Sequence, residues 1–178
     1  MRSFQRPGHS GASLPPLDAA RAGKKFAFVA DCRATAYDAF AMKQFLATIE
    51  VSSERERELV DITELVRAQV ERAGIRDGIC ALYAQGATAA LMVQENDDPN
   101  ITLDVLDCLE GIAPAGRWRH DRVDNNGSAH IQAGIVGPSE VIPIRDGGLA
   151  LSTWQNVFLC DFDGPRRRRK VLVTIQGE

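Results

Sequence analysis

From Lys43 onward, strand-like and helix-like segments follow one another in an order that admits few folds. Two segments, 63–73 and 101–111, place their apolar residues at helical spacing. The segments around them alternate or run apolar between turn residues, which is typical of strands. The order strands, helix, strands, helix, strands predicts an α+β fold. The predicted strands are 44–51, 59–62, 79–84, 88–94, 129–136, 139–144, 149–162 and 170–176.

Short turns join the last four predicted strands. The segments Gly137-Pro138, 145–148 and Asp163-Gly164-Pro165 combine residues that favour chain reversal. Connections of this length favour hairpins between neighbouring antiparallel strands. The C-terminal part of the chain is therefore predicted to form an antiparallel meander.

The first 42 residues differ in composition from the rest of the chain. Residues 1–23 are rich in Gly, Pro, Ser and Ala and have no acidic residue before Asp18. This composition favours a flexible leader, with an organellar transit peptide as the alternative. Residues 26–30 and 34–42 have the patterns of a short strand and a short helix. The chain is accordingly divided into a leader and extension, 1–42, and one domain, 43–178.

Charge and cysteine usage argue against several classes of protein. The formal net charge is -3 at pH 7, whereas proteins that bind nucleic acid or anionic membranes usually carry a basic excess. No apolar run approaches the roughly 20 residues of a membrane span. The four cysteines form no C-x-x-C pair, which favours reduced thiols in a cytosolic protein. The basic run 166–169 is interpreted as a solvated hairpin tip that pairs with nearby carboxylates.

A polar stretch after the second predicted helix holds the strongest signal for a site. His120 and His130, two of the three histidines, bracket the turn Asp124-Asn125-Asn126. Imidazole, carboxylate and amide groups brought together can bind a metal or a phosphate, or transfer a proton. His130 is predicted to lie on strand 129–136, on the face opposite to the apolar side chains. A ligand site is favoured here over a solvent-facing or interface histidine.

Further positions extend this candidate site. Glu95 closes a predicted strand where the wall of a site could lie. The small segment 86–90 leaves backbone N–H groups open to an anion, although it lacks P-loop spacing. Gln155 ends an apolar segment as a candidate ligand-binding amide, while its neighbour Trp154 is at least as well explained by a core position or a subunit contact.

Taken together, these segments resemble the YjbQ family, whose members are often called secondary thiamine-phosphate synthase proteins. The resemblance runs from about Gln44 to Glu178 and is specific because several motifs occur in the right order. Its strongest parts are 86–91 with Glu95-Asn96, His120 with 124–130, 135–139, 142–144, 149–155 and the terminal Gly177-Glu178.

The resemblance implies an antiparallel or mixed β-sandwich with two helices, assembled as a homotrimer with polar sites near the subunit boundaries. It implies a pocket for a phosphorylated small molecule, and a divalent ion, Mg²⁺ or Zn²⁺, bound by His120 and His130. The implied activity joins a pyrimidine diphosphate to a thiazole phosphate, giving thiamine phosphate and pyrophosphate. The implied catalytic residues are His120, His130, Asp124 and Glu95, and the implied ligand-binding residues are Gly86, Thr88, Asn125, Asn126 and Gln155.

One position departs from the family pattern. The commoner form has a His-Thr-Ser-Ala run, whose histidine falls on Gly86 and whose serine falls on Thr88. Because tetrahedral zinc normally takes three or four protein ligands, Glu95, Asp124 or a residue of another subunit would have to replace the missing imidazole. Three functions therefore stay open: a synthase-like transferase, a non-catalytic trimeric binding or assembly protein, and a metal-dependent hydrolase that uses the same pocket.

Overall fold

The computed structural model describes residues 42–178. The predicted leader and the predicted elements at 26–30 and 34–41 lie outside the described residues. Within residues 42–178 the chain forms eight strands and three α-helices. In chain order these are β1 Lys43–Val51, β2 Glu58–Asp61, α1 Thr63–Ala73, β3 Gly78–Gln85, β4 Ala89–Glu95, α2 Asn100–Ile112, α3 Gly127–Val136, β5 Ser139–Arg145, β6 Gly148–Leu149, β7 Gln155–Asp161 and β8 Arg169–Gly177.

The strands form two sheets, and every strand pairing among residues 42–178 is antiparallel. One sheet has the order β1-β8-β3-β5-β6, and the other has the order β2-β7-β4. The predicted α+β class is confirmed. The helix count of two is too low, because α3 was predicted to be a strand.

Alternation along β7 places the smaller sheet between two hydrophobic cores. Val157 and Leu159 face the larger sheet and α1, whereas Phe158 and Cys160 face α2 and α3. Because successive side chains of a strand point to opposite faces, one strand serves both cores. The resulting order of layers is five-stranded sheet, three-stranded sheet, helices. No helix within residues 42–178 is both long enough and apolar enough to cross a membrane.

The helix predicted at residues 63–73 is confirmed, and its first turn is stabilised by side-chain hydrogen bonds. Asp61, at the end of β2, accepts hydrogen bonds at Oδ1 from the backbone N of Thr63 (2.8 Å) and from its Oγ1. Thr63 Oγ1 in turn accepts from the backbone N of Val157 at 2.9 Å, which joins the helix start to β7. Gly74 ends the helix with φ +61°, in the left-handed conformation that glycine adopts readily.

The prediction of a strand at 129–136 is wrong, since these residues belong to α3. Ala129, Ile131, Ala133 and Ile135 alternate as in a strand, but Ala129 and Ala133 also have the i, i+4 spacing of a helix. Both alanines are buried against the three-stranded sheet, while Ile135 is 52% exposed. The i, i+4 spacing of the two alanines therefore outweighs the strand-like alternation, because small side chains let a helix pack closely on the sheet.

The predicted C-terminal meander is confirmed only for the antiparallel hairpin of β5 and β6. Beyond it the prediction is wrong, because β7 lies between β2 and β4 in the smaller sheet, whereas β8 lies between β1 and β3 in the larger one. The predicted strand 149–162 divides into β6 and β7, with 150–154 outside both strands. Turn residues mark where a chain reverses, but they do not specify which strand becomes the neighbour.

The cysteines give a direct test of the two cores. Cys80 and Cys160 are fully buried, and burial raises the pKa of each thiol to about 12, whereas Cys108 on α2 is exposed. Because the thiolate is the reactive form, we expect one fast-reacting thiol in a Cys32→Ser background. Labelling with a chromogenic disulfide reagent under native conditions measures this number. Two or more fast-reacting thiols would contradict the burial of Cys80 and Cys160. Labelling in denaturant serves as the control, because it gives the total number of thiols.

Candidate functional site

A short loop between α2 and α3 holds the two predicted histidines. His120 lies in the 3₁₀ helix Arg119–Arg122, and His130 lies in the first turns of α3. Asp121 stabilises this loop, because its two carboxylate oxygens accept hydrogen bonds from the backbone N atoms of Trp118 and Gly127, each at 2.8 Å. Asn125 adopts φ +55°, a left-handed conformation that asparagine tolerates better than most residues. The loop thus returns the chain so that the two histidines meet.

The two imidazoles pack edge to face. Their ring centroids are 4.7 Å apart with an interplanar angle of 81°. Nε2 of His120 lies 3.8 Å from Oδ2 of Asp124, and these two side chains are 44% and 62% exposed. Three of the four predicted catalytic residues therefore share one partly exposed surface. Imidazole and carboxylate groups in this arrangement can exchange protons with a bound molecule.

Asn126, the residue before α3, joins the histidines to the other sequence-predicted positions. Its Nδ2 donates to Oδ2 of Asp163 at 3.3 Å, and Thr88 Oγ1 lies 3.5 Å from the same oxygen. The backbone N of His130 donates to the carbonyl of Asn126 at 3.3 Å, so His130 lies one helical turn after Asn126. The structure thus brings the turn 86–88 beside the start of α3.

An ion pair lies next to Thr88, and the sequence interpretation, which expected residues 166–169 to pair in solvent, missed that it is buried. Nε and Nη2 of Arg169 donate to the two carboxylate oxygens of Asp161 at 2.9 and 2.5 Å, and Nη2 also donates to Thr88 Oγ1 at 3.0 Å. Arg169 is 9% exposed and Asp161 is 0% exposed. Ser53 Oγ donates a further hydrogen bond to Asp161 at 2.6 Å. This network fixes the position of the guanidinium.

The surroundings of Asp161 perturb its pKa in opposing directions. Burial raises the pKa of the carboxyl group, but hydrogen bonds from Arg169 and Ser53, with the charge of the guanidinium, bring it below its ordinary value. Asp161 is therefore ionised at neutral pH. The interpretation of residues 166–169 as a solvated tip is wrong for Arg169, which begins β8. Its alternation with Val171 and Val173 is the sequence signal that points to the buried face.

Gly86 lies directly beside this guanidinium. Its φ of +125° is accessible to glycine but strained for other residues, and a Cβ atom there would lie 3.0 Å from Nη1 of Arg169. The backbone N of Ala89 donates to the carbonyl of Gly86 at 3.2 Å and closes the turn. Gly86 and Thr88 therefore belong to the same polar surface as Asn126.

Glu95 and Gln155 do not join this cluster. They pair opposite each other where β4 ends and β7 begins, whereas Ala89 pairs with Asp161 at the other end of the two strands. A strand rises about 3.4 Å per residue, so Glu95 lies about 20 Å from Ala89. Gln155 Oε1 accepts from the backbone N of Ser152 at 3.0 Å.

The end of the sheet near Glu95 has a polar network of its own. Oδ2 of Asp61 accepts from Nδ2 of Asn96 at 2.6 Å and from Nδ2 of Asn156 at 2.7 Å. Trp154, beside this network, is 55% exposed, which excludes a core position within the chain. The sequence-predicted site thus falls into two parts, which we call the histidine part (His120, Asp124, Asn126, His130, Gly86, Thr88) and the glutamate part (Glu95, Gln155).

The metal-binding hypothesis requires a set of donor side chains, which can be checked for residues 42–178. Within residues 42–178 no group of three or more His, Cys, Asp or Glu side chains is arranged to hold a metal ion. Tetrahedral zinc normally takes three or four protein ligands. His120 and His130 contact each other, but the described part of the chain adds no further side chain placed to complete a tetrahedral set, so these residues do not fit a zinc site by themselves.

Comparison with known proteins gives a consistent family. The model of the YjbQ-like UPF0047 proteins matches residues 47–178. A UPF0047 protein of Methanothermobacter thermautotrophicus is 33% identical over 138 residues, covering 77% of this chain and 95% of that protein. A UPF0047 protein of Archaeoglobus fulgidus is 40% identical over 116 residues, covering 65% and 89%. The crystal structure of a YbjQ-like protein of unknown function from Sulfolobus solfataricus matches with a TM-score of 0.75 and 40% identity, covering 78% of this chain and 100% of that chain.

Proposed function

The chain belongs to the YjbQ-like UPF0047 family, and on this premise we propose that its histidine part binds a phosphorylated or pyrophosphorylated small molecule. The observation that carries the proposal is the edge-to-face contact of His120 and His130 beside Asn126 and Thr88. A phosphate needs hydrogen-bond donors and positive charge, which imidazolium, amide and hydroxyl groups supply. The imidazole of His120 is partly exposed and can be reached by a small molecule, whereas Thr88 is buried and contributes by holding Arg169 in place.

The favoured reaction is thiamine phosphate formation from a pyrimidine diphosphate and a thiazole phosphate. A carbon–nitrogen bond forms between the two rings, and the bond to the leaving pyrophosphate breaks. His120 or His130 in its protonated form donates to the leaving oxygen, because that oxygen gains negative charge as it departs. Asp124 lies 3.8 Å from Nε2 of His120 and faces the same surface.

The second part of the proposal is a cytosolic homotrimer. The outer face of the five-stranded sheet carries exposed apolar side chains on four adjacent strands: Leu46, Ile79, Tyr83, Val141 and Leu172. A contiguous apolar surface of this kind is typical of a protein–protein interface. Assembly would also allow the glutamate part of one subunit to complement the histidine part of another, which a single chain keeps about 20 Å apart.

Turnover with the two phosphorylated precursors and magnesium tests the catalytic proposal. We expect the double substitution His120→Ala/His130→Ala to reduce turnover by about 100-fold or more, the usual contribution of an acid or base. Val123→Ala is the matched control, because Val123 lies in the same loop and is 74% exposed. Melting temperatures of all three proteins establish that the variants are folded.

The outcomes separate the three functions. Turnover by the wild type that disappears only in the double variant supports the transferase. Binding of the precursors without turnover favours the trimeric binding protein, and release of inorganic phosphate without condensation favours the hydrolase. If the wild type neither binds nor converts the phosphorylated precursors, the proposed function is wrong.

A further inference from the structure

Arg169 keeps one hydrogen-bonding nitrogen without a partner. Nε and Nη2 donate to Asp161 and Thr88, whereas Nη1 has no acceptor within residues 42–178. The enclosed side-chain atoms that lack a partner in this part of the chain are Asn126 Oδ1 and Gln132 Oε1. Nη1 is not among these atoms, although the arginine as a whole is nine-tenths buried. A guanidinium nitrogen that is held in place beside an exposed glycine is suited to bind an anion.

The approach to Nη1 depends on the absence of a side chain at position 86. A Cβ atom on Gly86 would lie 3.0 Å from this nitrogen, so even alanine would partly cover it. Gly86 is exposed, and no other atom lies within 4 Å of that Cβ position. Glycine at this position therefore leaves an open path from solvent to the guanidinium.

The free groups around Arg169 favour an oxyanion over a cation. Asp161 pairs with Arg169, and Asp163 pairs with Arg166 at 2.7 Å, so both nearby carboxylates already have a cationic partner, while the N–H groups of Nη1 are donors that an oxyanion can accept. The backbone N of exposed Ala87 donates to no acceptor among the described residues, which leaves a second donor at the same turn. Because Asp161 already holds the guanidinium in place, binding an anion requires little further loss of side-chain entropy.

We propose that Arg169, uncovered by Gly86, is the phosphate-binding residue of the site, and that it takes the phosphoryl group of a phosphate monoester or of a diphosphate. This inference rests on the proposed function, for which it names the anchoring group. Thr88 and Asp163 connect Arg169 to Asn126, one turn before His130. Arg169 thereby holds the phosphate while the histidines remain free to transfer protons.

The test measures the affinity of the full chain for inorganic phosphate and inorganic pyrophosphate by titration calorimetry at constant ionic strength. We expect Gly86→Ala to weaken both affinities by about tenfold or more, the size of one charge-assisted hydrogen bond. This substitution covers Nη1 without removing any of the groups that bind Arg169 through Nε and Nη2. Gly147→Ala is the matched control, because Gly147 also has positive φ (+82°) and a Cβ there would contact nothing within 4 Å.

The possible results distinguish a failure of the Arg169 inference from a failure of the proposed function. Loss of phosphate affinity in Gly86→Ala, with Gly147→Ala within about twofold of the wild type, supports the inference. Wild-type affinity in Gly86→Ala overturns it, as does a wild type that binds the phosphorylated precursors but neither inorganic anion. In both of those cases the proposed function stands if His120→Ala/His130→Ala still abolishes precursor binding. If the wild type binds neither the inorganic anions nor the precursors, both proposals fail.

Discussion

Replacing Arg169 with methionine is expected to lower the free energy of unfolding by about 3–5 kcal/mol, the usual result of removing one partner from a buried ion pair. Asp161 is 0% exposed and would keep only its hydrogen bonds from Ser53 and from the backbone N of Asp163. An ionised carboxylate without a cation is unfavourable in a buried position. Because whole domains are stable by only about 5–15 kcal/mol, the variant is expected to be close to unfolding.

The neighbouring arginine provides the control for this prediction. Arg168 is 68% exposed and pairs with Glu50 at 3.4 Å, so Arg168→Met is expected to change the unfolding free energy by at most about 1 kcal/mol. Urea denaturation of both variants at pH 7 measures the difference. Similar losses for the two arginines would show that Arg169 is not in a buried pair.

The same ion pair sets a pH dependence. The folded-state pKa of Asp161 lies below its ordinary value, so its contribution is fully present above the unfolded-state pKa of about 3.9. The contribution is lost as the pH falls through the lower, folded-state value. The difference in stability between the wild type and Arg169→Met should therefore be largest near neutral pH and become smaller below about pH 4.

The second large effect is expected at Phe158, which supports the helix that carries His130. Phe158 is 1% exposed and belongs to the core formed with Ala129 and Ala133 of α3. Truncation to alanine leaves a cavity that the sheet cannot close, and we expect a loss of about 3–5 kcal/mol in the free energy of unfolding. Urea or thermal unfolding at pH 7 measures the loss.

Ile135 is the matched control on the other side of the same helix. It is 52% exposed, so Ile135→Ala removes little buried surface and should change the stability by no more than about 0.5 kcal/mol. Equal effects of Phe158→Ala and Ile135→Ala would mean that α3 does not pack on β7 through Phe158. The comparison thus tests the helical assignment as well as the size of the core.

Several elements could be predicted from local sequence because their residues satisfy only one periodicity. Residues 63–73 carry a helical stripe that ends at Gly74, and β3 and β8 contain apolar, β-branched segments between turn residues. The grouping of His120, Asp124 and His130 also followed from the chain, since nine intervening residues rich in turn formers can bring both histidines together.

Tertiary structure decided the features for which local sequence allows two answers. Residues 127–136 fit a strand or a helix, and burial of Ala129 and Ala133 against Phe158 selected the helix. Arg169 stands last in a run of four arginines with the same chemistry, and only the pairing of β8 between β1 and β3 turns this one toward Asp161. The sequence by itself determined which segments are apolar and where the chain turns, because these properties are local. Which segments become neighbours depends on long-range packing, and so the tertiary structure alone placed Arg169 beside Gly86 and separated Glu95 from the histidines.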